Sequence, residues 1–576
     1  MKKIFLILSM AFCFSSCNDF LETESYTTLN SGNFPAEAGD IQDLITGAYS
    51  TQTSWISAWV CSHPYFVSEL ASDERLGGCG SNSWNVQCLD KMMTSTVDDH
   101  SSFWSNRYKG VYRANMVIET IDRCTGFTSD EEKNHMLGEA HFLRALFYWE
   151  LGQLFENIPM PLYTTDYNLT QVSPDVLFGQ IATDFIKAID LLERNKFDST
   201  KSGIATVWAA EAYLARVFLF YTGFYQKDSM PLNDGEELTK SEMIAYLDDC
   251  IDNSGHGLVS DFRNLWAYSN DYTAEDWDYA KENNLSWEGD NNKEIMYSYK
   301  FGLKGGSSVS YRNFFVIWQG LPTKMVSNPE KLFPYGFGWA MGSVCPDIWN
   351  TWQTEEPDDI RRMGSIISLE DETPAYVPTD GTGGWDSWEE TYYRSKKFMN
   401  VTSVSGYNDD GSIATVYNTF TYEQYGANNN YLTGQITDFP LLRFADVLLM
   451  HSELSQTADG MNQVRARAGL DPVTYSLENI QKERRWELSF EGVRWNDIRR
   501  WHIATDVLGN QAGLDVLNRG AVAVVPSDLG GGYVARYNAT RGFWNIPDCE
   551  IKLSNGVMIQ NEGWREGDNY LYTGWS

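Results

Sequence analysis

Cations are scarce in this chain. It holds 44 Lys and Arg against 78 Asp and Glu, a formal charge of −34, with only 7 histidines. A surface this acidic repels a phosphate backbone, so no nucleic acid is expected as a partner. The seven histidines are scattered and no C-x-x-C pair occurs, so a structural zinc site is not expected. The acidic turns "NDGEE" (233–237) and "NDDGS" (408–412) could offer oxygen ligands to a structural calcium. Neither has the ordered ligand series of a calcium loop, and solvated turns are the better reading. Catalytic signatures are missing as well: there is no G-x-S-x-G elbow, no G-x-G-x-x-G, no phosphate loop and no H-E-x-x-H. Adjacent carboxylates such as Asp358 with Asp359, or Glu389 with Glu390, arise by chance among so many acids. A glycosidase needs two carboxylates set about 5 to 10 Å apart across a cleft, a spacing that sequence does not display. No catalytic residue and no cofactor is expected. Beyond the N-terminal leader, no stretch approaches the roughly 18 to 20 apolar residues of a spanning helix.

What the chain does have begins at its N-terminus. Met1, Lys2 and Lys3 precede the apolar block "IFLILSMAF", and Ser15 and Ser16 precede Cys17, which is the layout of a bacterial export signal. The segment resembles a lipobox, with residues 1–16 as the signal and Cys17 as the residue that is acylated. Several acyl chains on one residue anchor firmly, at about 0.8 kcal/mol per buried methylene. Cys13 is the poorer candidate because Phe12 precedes it, and an ordinary secretory signal is the alternative. Residues 17–36 read as a flexible acidic tether. Asp19, Glu22 and Glu24 resemble the tag that sends Bacteroidetes lipoproteins to the outer face of the outer membrane. Setting aside Cys13 and Cys17, an odd seven of the 9 cysteines remain, and Cys79 with Cys88 could close a short loop.

At 576 residues and 43% hydrophobic content the chain can bury a large core. Residues 37–255 are mostly helical in pattern, clearest at 137–155, 174–193 and 204–224. Ser173 with Pro174 reads as an N-cap and first helical residue. Ala205, Ala209, Ala212 and Ala215 set small residues on successive turns, where another helix can approach closely. Residues 256–437 lack sustained periodicity and are rich in Gly, Asn, Asp, Trp and Tyr, which predicts loops with short strands, the best at 293–301. Helix returns at 438–470 and 476–502, and residues 503–576 form a loop-rich tail. In the charged segment "ERRWELSFEGVRWNDIRRW" (483–501), Glu491 with Arg494, Arg494 with Asp497, and Asp497 with Arg500 stand three residues apart, while Leu488, Trp495 and Ile498 share an apolar side. That pattern predicts a packed helix laced with ion pairs, not a catalytic site.

Four segments, "LLRFADVLLMHSEL" (441–454), "NQVRARAGL" (462–470), "ERRWELSFEGVRWNDIRRW" and "FWNIPDCEI" (543–551), resemble in that order the signature segments of the SusD/RagB family. The earlier "EAHFLRALFYWELGQLFENIPMPL" (139–162) is similar to its N-terminal signature. The resemblance implies a mainly α fold, a scaffold of tetratricopeptide-like helix pairs carrying a loop-rich, short-strand variable region. It also implies a non-enzymatic cell-surface lipoprotein that binds an oligosaccharide or polysaccharide and pairs with a SusC-like TonB-dependent outer-membrane transporter. Peptide capture for import is the alternative within the family, and a surface glycoside hydrolase a lesser one. The 34-residue tetratricopeptide period is absent, and "SQTADGM" between two of the segments is a short connection.

Aromatic residues carry the binding reading, since 21 tryptophans and 14% aromatics sit in a polar chain. A sugar ring lays its C–H face on an indole while its hydroxyls seek polar partners. Trp149, Trp208, Trp486 and Trp495 lie in helical patterns and are expected in the core. The loop "ASDERLGGCGSNSWNVQC" (71–88) offers Trp84 as a platform, with Asp73, Arg75, Asn82 and Asn85 as hydrogen-bonding partners. The resemblance places binding residues there and in the loops after the 293–301 strand, where Tyr311, Trp318, Tyr335 and Trp339 fall.

Overall fold

The computed structural model describes residues 34–575 except 54–61, 202, 303–311, 323–331, 374–386 and 413–417. Cys17, nearly all of the proposed tether, and Tyr311 lie outside the described residues.

The N-terminal half is built of helices α1 (Ala38–Ser50), α2 (Pro64–Ala71), α3 (Ser101–Thr120), α4 (Asp130–Phe155), α5 (Pro174–Leu191), α6 (Val207–Phe224) and α7 (Lys240–Asn253). Local chemistry sets their starts. Ser129 accepts the Glu132 N–H at 3.2 Å, and Asp130, Glu131 and Glu132 place negative charge on the first turn of α4, where the helix dipole is positive. Thr206 caps α6 by accepting the Ala209 N–H at 3.1 Å. Pro174 occupies the first position of α5 as predicted, although the Ser173 side chain makes no capping bond. From Met136 onward almost every residue of α4 is buried, so this helix runs through the middle of the stack with α3 and α5 beside it. Ala209, Ala212 and Ala215 on α6 are fully buried, as the small-residue stripe predicts.

The C-terminal helices α8 (Phe444–Ser455), α9 (Asp459–Arg467), α10 (Leu477–Leu488) and α11 (Arg494–Arg500) complete the scaffold, with α8 against α7 and α11 against α6. The fold is mainly α, with short helices and two-stranded ladders between the helical parts. One ladder pairs β1 (Ile295–Tyr299) antiparallel with β2 (Phe439–Arg443), so the long excursion from residue 300 to 438 leaves and returns at neighbouring strands. A hairpin of β3 (Asp515–Asn518) and β4 (Ala521–Val524) lies near the C-terminus.

Four sequence expectations change. Residues 438–470 are not helical throughout, because 439–443 form β2 and the helix that follows ends at Ser455 before α9 begins at Asp459. Residues 476–502 are not one helix: the chain breaks after Leu488, with Phe490 at φ +64° and Gly492 at φ +77°. The cause is α2, whose Tyr65 hydroxyl donates to the Phe490 carbonyl at 3.0 Å and whose Glu69 accepts the Gly492 N–H at 2.7 Å. That break redirects the charges. Asp497 pairs with Arg500 at 2.8 Å as expected, but Arg494 turns to Asp73 at 2.8 Å and Glu491 to Lys397 and Arg443, both at 2.7 Å. Leu488, Trp495 and Ile498 are buried as predicted, as are Trp149, Trp208 and Trp486. Finally, Cys79 and Cys88 are buried thiols and no disulfide joins them. In the two acidic turns, Asp234 accepts the Glu236 N–H at 3.0 Å and Asp410 the Ser412 N–H at 3.0 Å, both on the exposed surface.

Buried carboxylates divide into two sets with opposite pH consequences. Burial raises Glu74 and Asp90 to about 7 and Glu211 to about 8, against the pull of neighbouring cations. For Asp73 and Asp446 burial is outweighed by facing arginines, which hold both down at about 2. The raised groups hold protons in the fold that the unfolded chain has released, so their stabilisation is complete below about pH 4 and is lost as pH rises through 7 to 8. The lowered groups stabilise fully above about pH 4 and lose that contribution as pH falls through about 2. The melting temperature is therefore expected to be higher at pH 5 than at pH 8. A scan in which it is higher at pH 8 refutes this assignment.

Candidate ligand-binding site

The loop at 71–88 begins inside the protein. Asp73 and Arg75 are each only 1% exposed. Arg494 grips Asp73 with two bonds of 2.8 and 2.9 Å. Arg75 donates to Gln319 at 2.8 Å, to Glu69 at 3.3 Å and to the Gly342 carbonyl at 2.9 Å. A Cβ on Gly342 would stand 2.3 Å from the Arg75 guanidinium, so this close approach requires glycine there. The expectation that Asp73 and Arg75 face a ligand is corrected: their charges are spent within the fold, where they fix the root of the loop.

Past Arg75 the chain is clamped between two other segments. Leu76 donates to the Ser343 carbonyl at 2.8 Å, Cys79 donates to the Ala340 carbonyl at 3.0 Å, and Trp388 donates to the Cys79 carbonyl at 2.8 Å. The loop then turns outward into a single helical turn, Trp84–Gln87. Trp84 is 41% exposed, Asn82 is exposed and Asn85 half-buried. The rigid base thus presents one indole and two amides at the surface.

The second expected region contributes unevenly. Trp318 and Trp339 are half-buried and meet edge to face with ring centres 4.8 Å apart. Backbone bonds hold both in place: Trp339 donates to the Ile317 carbonyl and Met341 to the Trp318 carbonyl, each at 2.9 Å. Among the described residues neither indole N–H has a hydrogen-bond partner. Tyr335 is corrected to a core residue, since it is 3% exposed and its hydroxyl donates to Glu372 at 2.6 Å.

Two tryptophans that sequence reading missed join this surface. Trp388 and Trp575 pack edge to face at 6.1 Å. The Trp575 N–H donates to Glu389 at 3.0 Å, and the same carboxylate accepts the Gly78 N–H and the Lys91 ammonium, both at 2.8 Å. Glu389 therefore joins the 71–88 loop, the Trp388 segment and the C-terminal end. The segments "GGWDSWEE" (383–390) and "LYTGW" (571–575) share the glycine-and-tryptophan composition of the Trp84 loop, the one signal that could have found them.

Chemically, the arrangement suits a ligand with flat apolar faces and many hydroxyls. Indole faces offer stacking surface, and Asn82 and Asn85 stand beside Trp84 on the same loop. The nearby ions Arg75, Lys91 and Glu389 are buried and already paired.

Residues 270–564 match the model of the SusD family, and residues 19–219 match a model described as starch-binding, associating with the outer membrane. SusD-like protein P25 of Formosa agariphila is 22% identical over 543 residues, covering 88% of this chain and 90% of that protein. Surface glycan-binding protein A from Bacteroides fluxus superposes with a TM-score of 0.67 at 21% identity, covering 92% of this chain and 100% of that one. The Bacteroides thetaiotaomicron surface glycan-binding protein A in complex with laminarihexaose gives a TM-score of 0.65 at 16% identity, covering 91% and 99%. With half its length matched by that family's model and this helical architecture shared, the chain belongs to the SusD family.

Proposed function

We propose that this protein captures oligosaccharides at the outer face of the outer membrane and passes them to a TonB-dependent transporter. The observation that carries the reading is the convergence of Trp84, Trp388, Trp575 and the Trp318–Trp339 pair from separated chain segments onto one bonded loop cluster. Stacking platforms with satisfied ions beneath them fit a sugar and do not position an acid and a base for hydrolysis, so binding rather than catalysis is the proposed activity. The laminarihexaose complex of a structurally similar protein supports the same class of ligand. Asn82 and Asn85 are the proposed rim contacts. Saturable binding on a glycan array, confirmed by calorimetry, is the test; binding confined to a peptide library would replace this reading with peptide capture.

Anchoring belongs to Cys17 and transport to a partner. Among the described residues no helix is long and apolar enough to cross a membrane. The proposed partner is a SusC-like barrel over which this protein closes, holding ligand between the two. Co-purification of a barrel of that size from native outer membranes supports it, and recovery of this protein alone under mild detergent opposes it. Cys17→Ala is expected to move the protein from the membrane to the soluble fraction with an unchanged melting temperature. A variant still sedimenting with membranes would defeat the anchoring.

A further inference from the structure

Resting on the glycan reading, we propose that the C-terminal end of the chain, Gly574 and Trp575, is a wall of the sugar site, with Glu389 as the residue that positions it. This segment is tied down at Tyr572, Gly574 and Trp575. Tyr572 is buried, its N–H donates to the Thr94 carbonyl at 2.8 Å, and the Lys91 ammonium lies 5.7 Å from its ring centre. Gly574, at φ +90°, passes so close to Trp84 that a Cβ there would stand 2.9 Å from the indole nitrogen. Trp575 then donates its indole N–H to Glu389.

The Glu389 anchor is costly to build, which argues that it holds something of use. Its carboxylate is fully buried, and its backbone adopts φ +52°, a left-handed conformation that a non-glycine residue takes at some strain. One oxygen serves both Lys91 and Trp575, and the other takes the Gly78 N–H at the root of the Trp84 loop. Trp84 and Trp575 are thereby set against one frame. Gly574 packs against the Trp84 ring while leaving the residue 41% exposed, and the next residue, Trp575, packs edge to face on Trp388, so three indoles are gathered around the tail. A sugar stacked on Trp84 would meet Trp575 or Trp388 with its next residue.

The experiment compares wild type with Trp575→Ala, Trp575→Phe, Gly574→Ala and Glu389→Gln by calorimetry, alongside thermal melting. The ligand is laminarihexaose or, where another glycan of the array binds more tightly, that glycan. Trp575→Ala is expected to weaken binding at least tenfold with little change in melting temperature, and Trp575→Phe to restore most of the affinity. Gly574→Ala, which must displace the Trp84 ring, and Glu389→Gln, which loosens the tail, are expected to weaken binding without touching ligand. Glu389→Gln should also shift the tail's tryptophan fluorescence to longer wavelength in the free protein, a signal that general loss of stability does not give below the melting transition. Unchanged affinity in Trp575→Ala, with binding still lost in Trp84→Ala, overturns the tail wall and leaves the glycan reading standing. Absence of binding by the wild type to every glycan overturns both.

Discussion

Glu487→Ala is expected to destabilise the protein by about 3 to 5 kcal/mol, the scale for removing one partner from a buried ionic network. Glu487 is fully buried and is met by Arg361 at 3.1 Å, Arg443 at 3.0 Å and Arg467 at 2.5 Å. Burial opposes its ionisation, but Arg467, Arg443 and Arg361 outweigh it and hold the carboxyl well below the usual carboxylate range. Alanine would leave three guanidinium groups sharing the remaining acceptors Glu294, Glu483, Glu491 and Asp359. Glu294 and Asp359 come from segments distant in sequence, so the effect should reach the whole fold. Urea unfolding followed by circular dichroism measures it. A midpoint unchanged from wild type would mean that the network contributes no net stability.

Trp84→Ala is expected to cost about 1 to 3 kcal/mol of glycan affinity, the usual range for a central aromatic anchor. At 41% exposure the ring contributes little to the core, so the melting temperature should shift only slightly. The two readouts separate the roles. A collapse of the melting temperature with unchanged affinity in the folded fraction would make Trp84 a packing residue. Asn82→Ala and Asn85→Ala should have smaller effects, since rim amides exchange partners with water.

The scaffold was legible in the sequence because helical periodicity is local. Pro174 after Ser173, and the small residues Ala209, Ala212 and Ala215 on successive turns, are signals read within a short stretch of chain. The break at Phe490 was not legible, because its cause is Tyr65 and Glu69, more than 400 positions away. Asp73 and Arg75 misled for a related reason. A loop rich in glycine and charge looks solvated until Arg494 and Gln319 arrive from elsewhere to bury those charges. Tyr335 was hidden in the same way by Glu372, and Trp575 by its separation from Glu389. The exposure of Trp84 was legible because its turn follows Gly77, Gly78 and Gly80 in its own stretch of chain.

The pairing of β1 with β2 bears on how such a protein can diversify. Ile295 faces Arg443 and Tyr299 faces Phe439, so the doorway through which residues 300–438 leave is also the one by which they return. Lengthening a closed excursion of that size adds only a small fraction of a kcal/mol in chain entropy, because the cost grows as the logarithm of its length. Insertions and deletions between the two strands are thus nearly free to the helices, provided Gln319, the segment at Ala340–Ser343 and the buried ions Asp359, Arg361 and Lys397 still reach their partners. The doorway turns the middle of the chain into an exchangeable cartridge, in which loops suited to a new polymer could be traded while the helical frame stays unaltered.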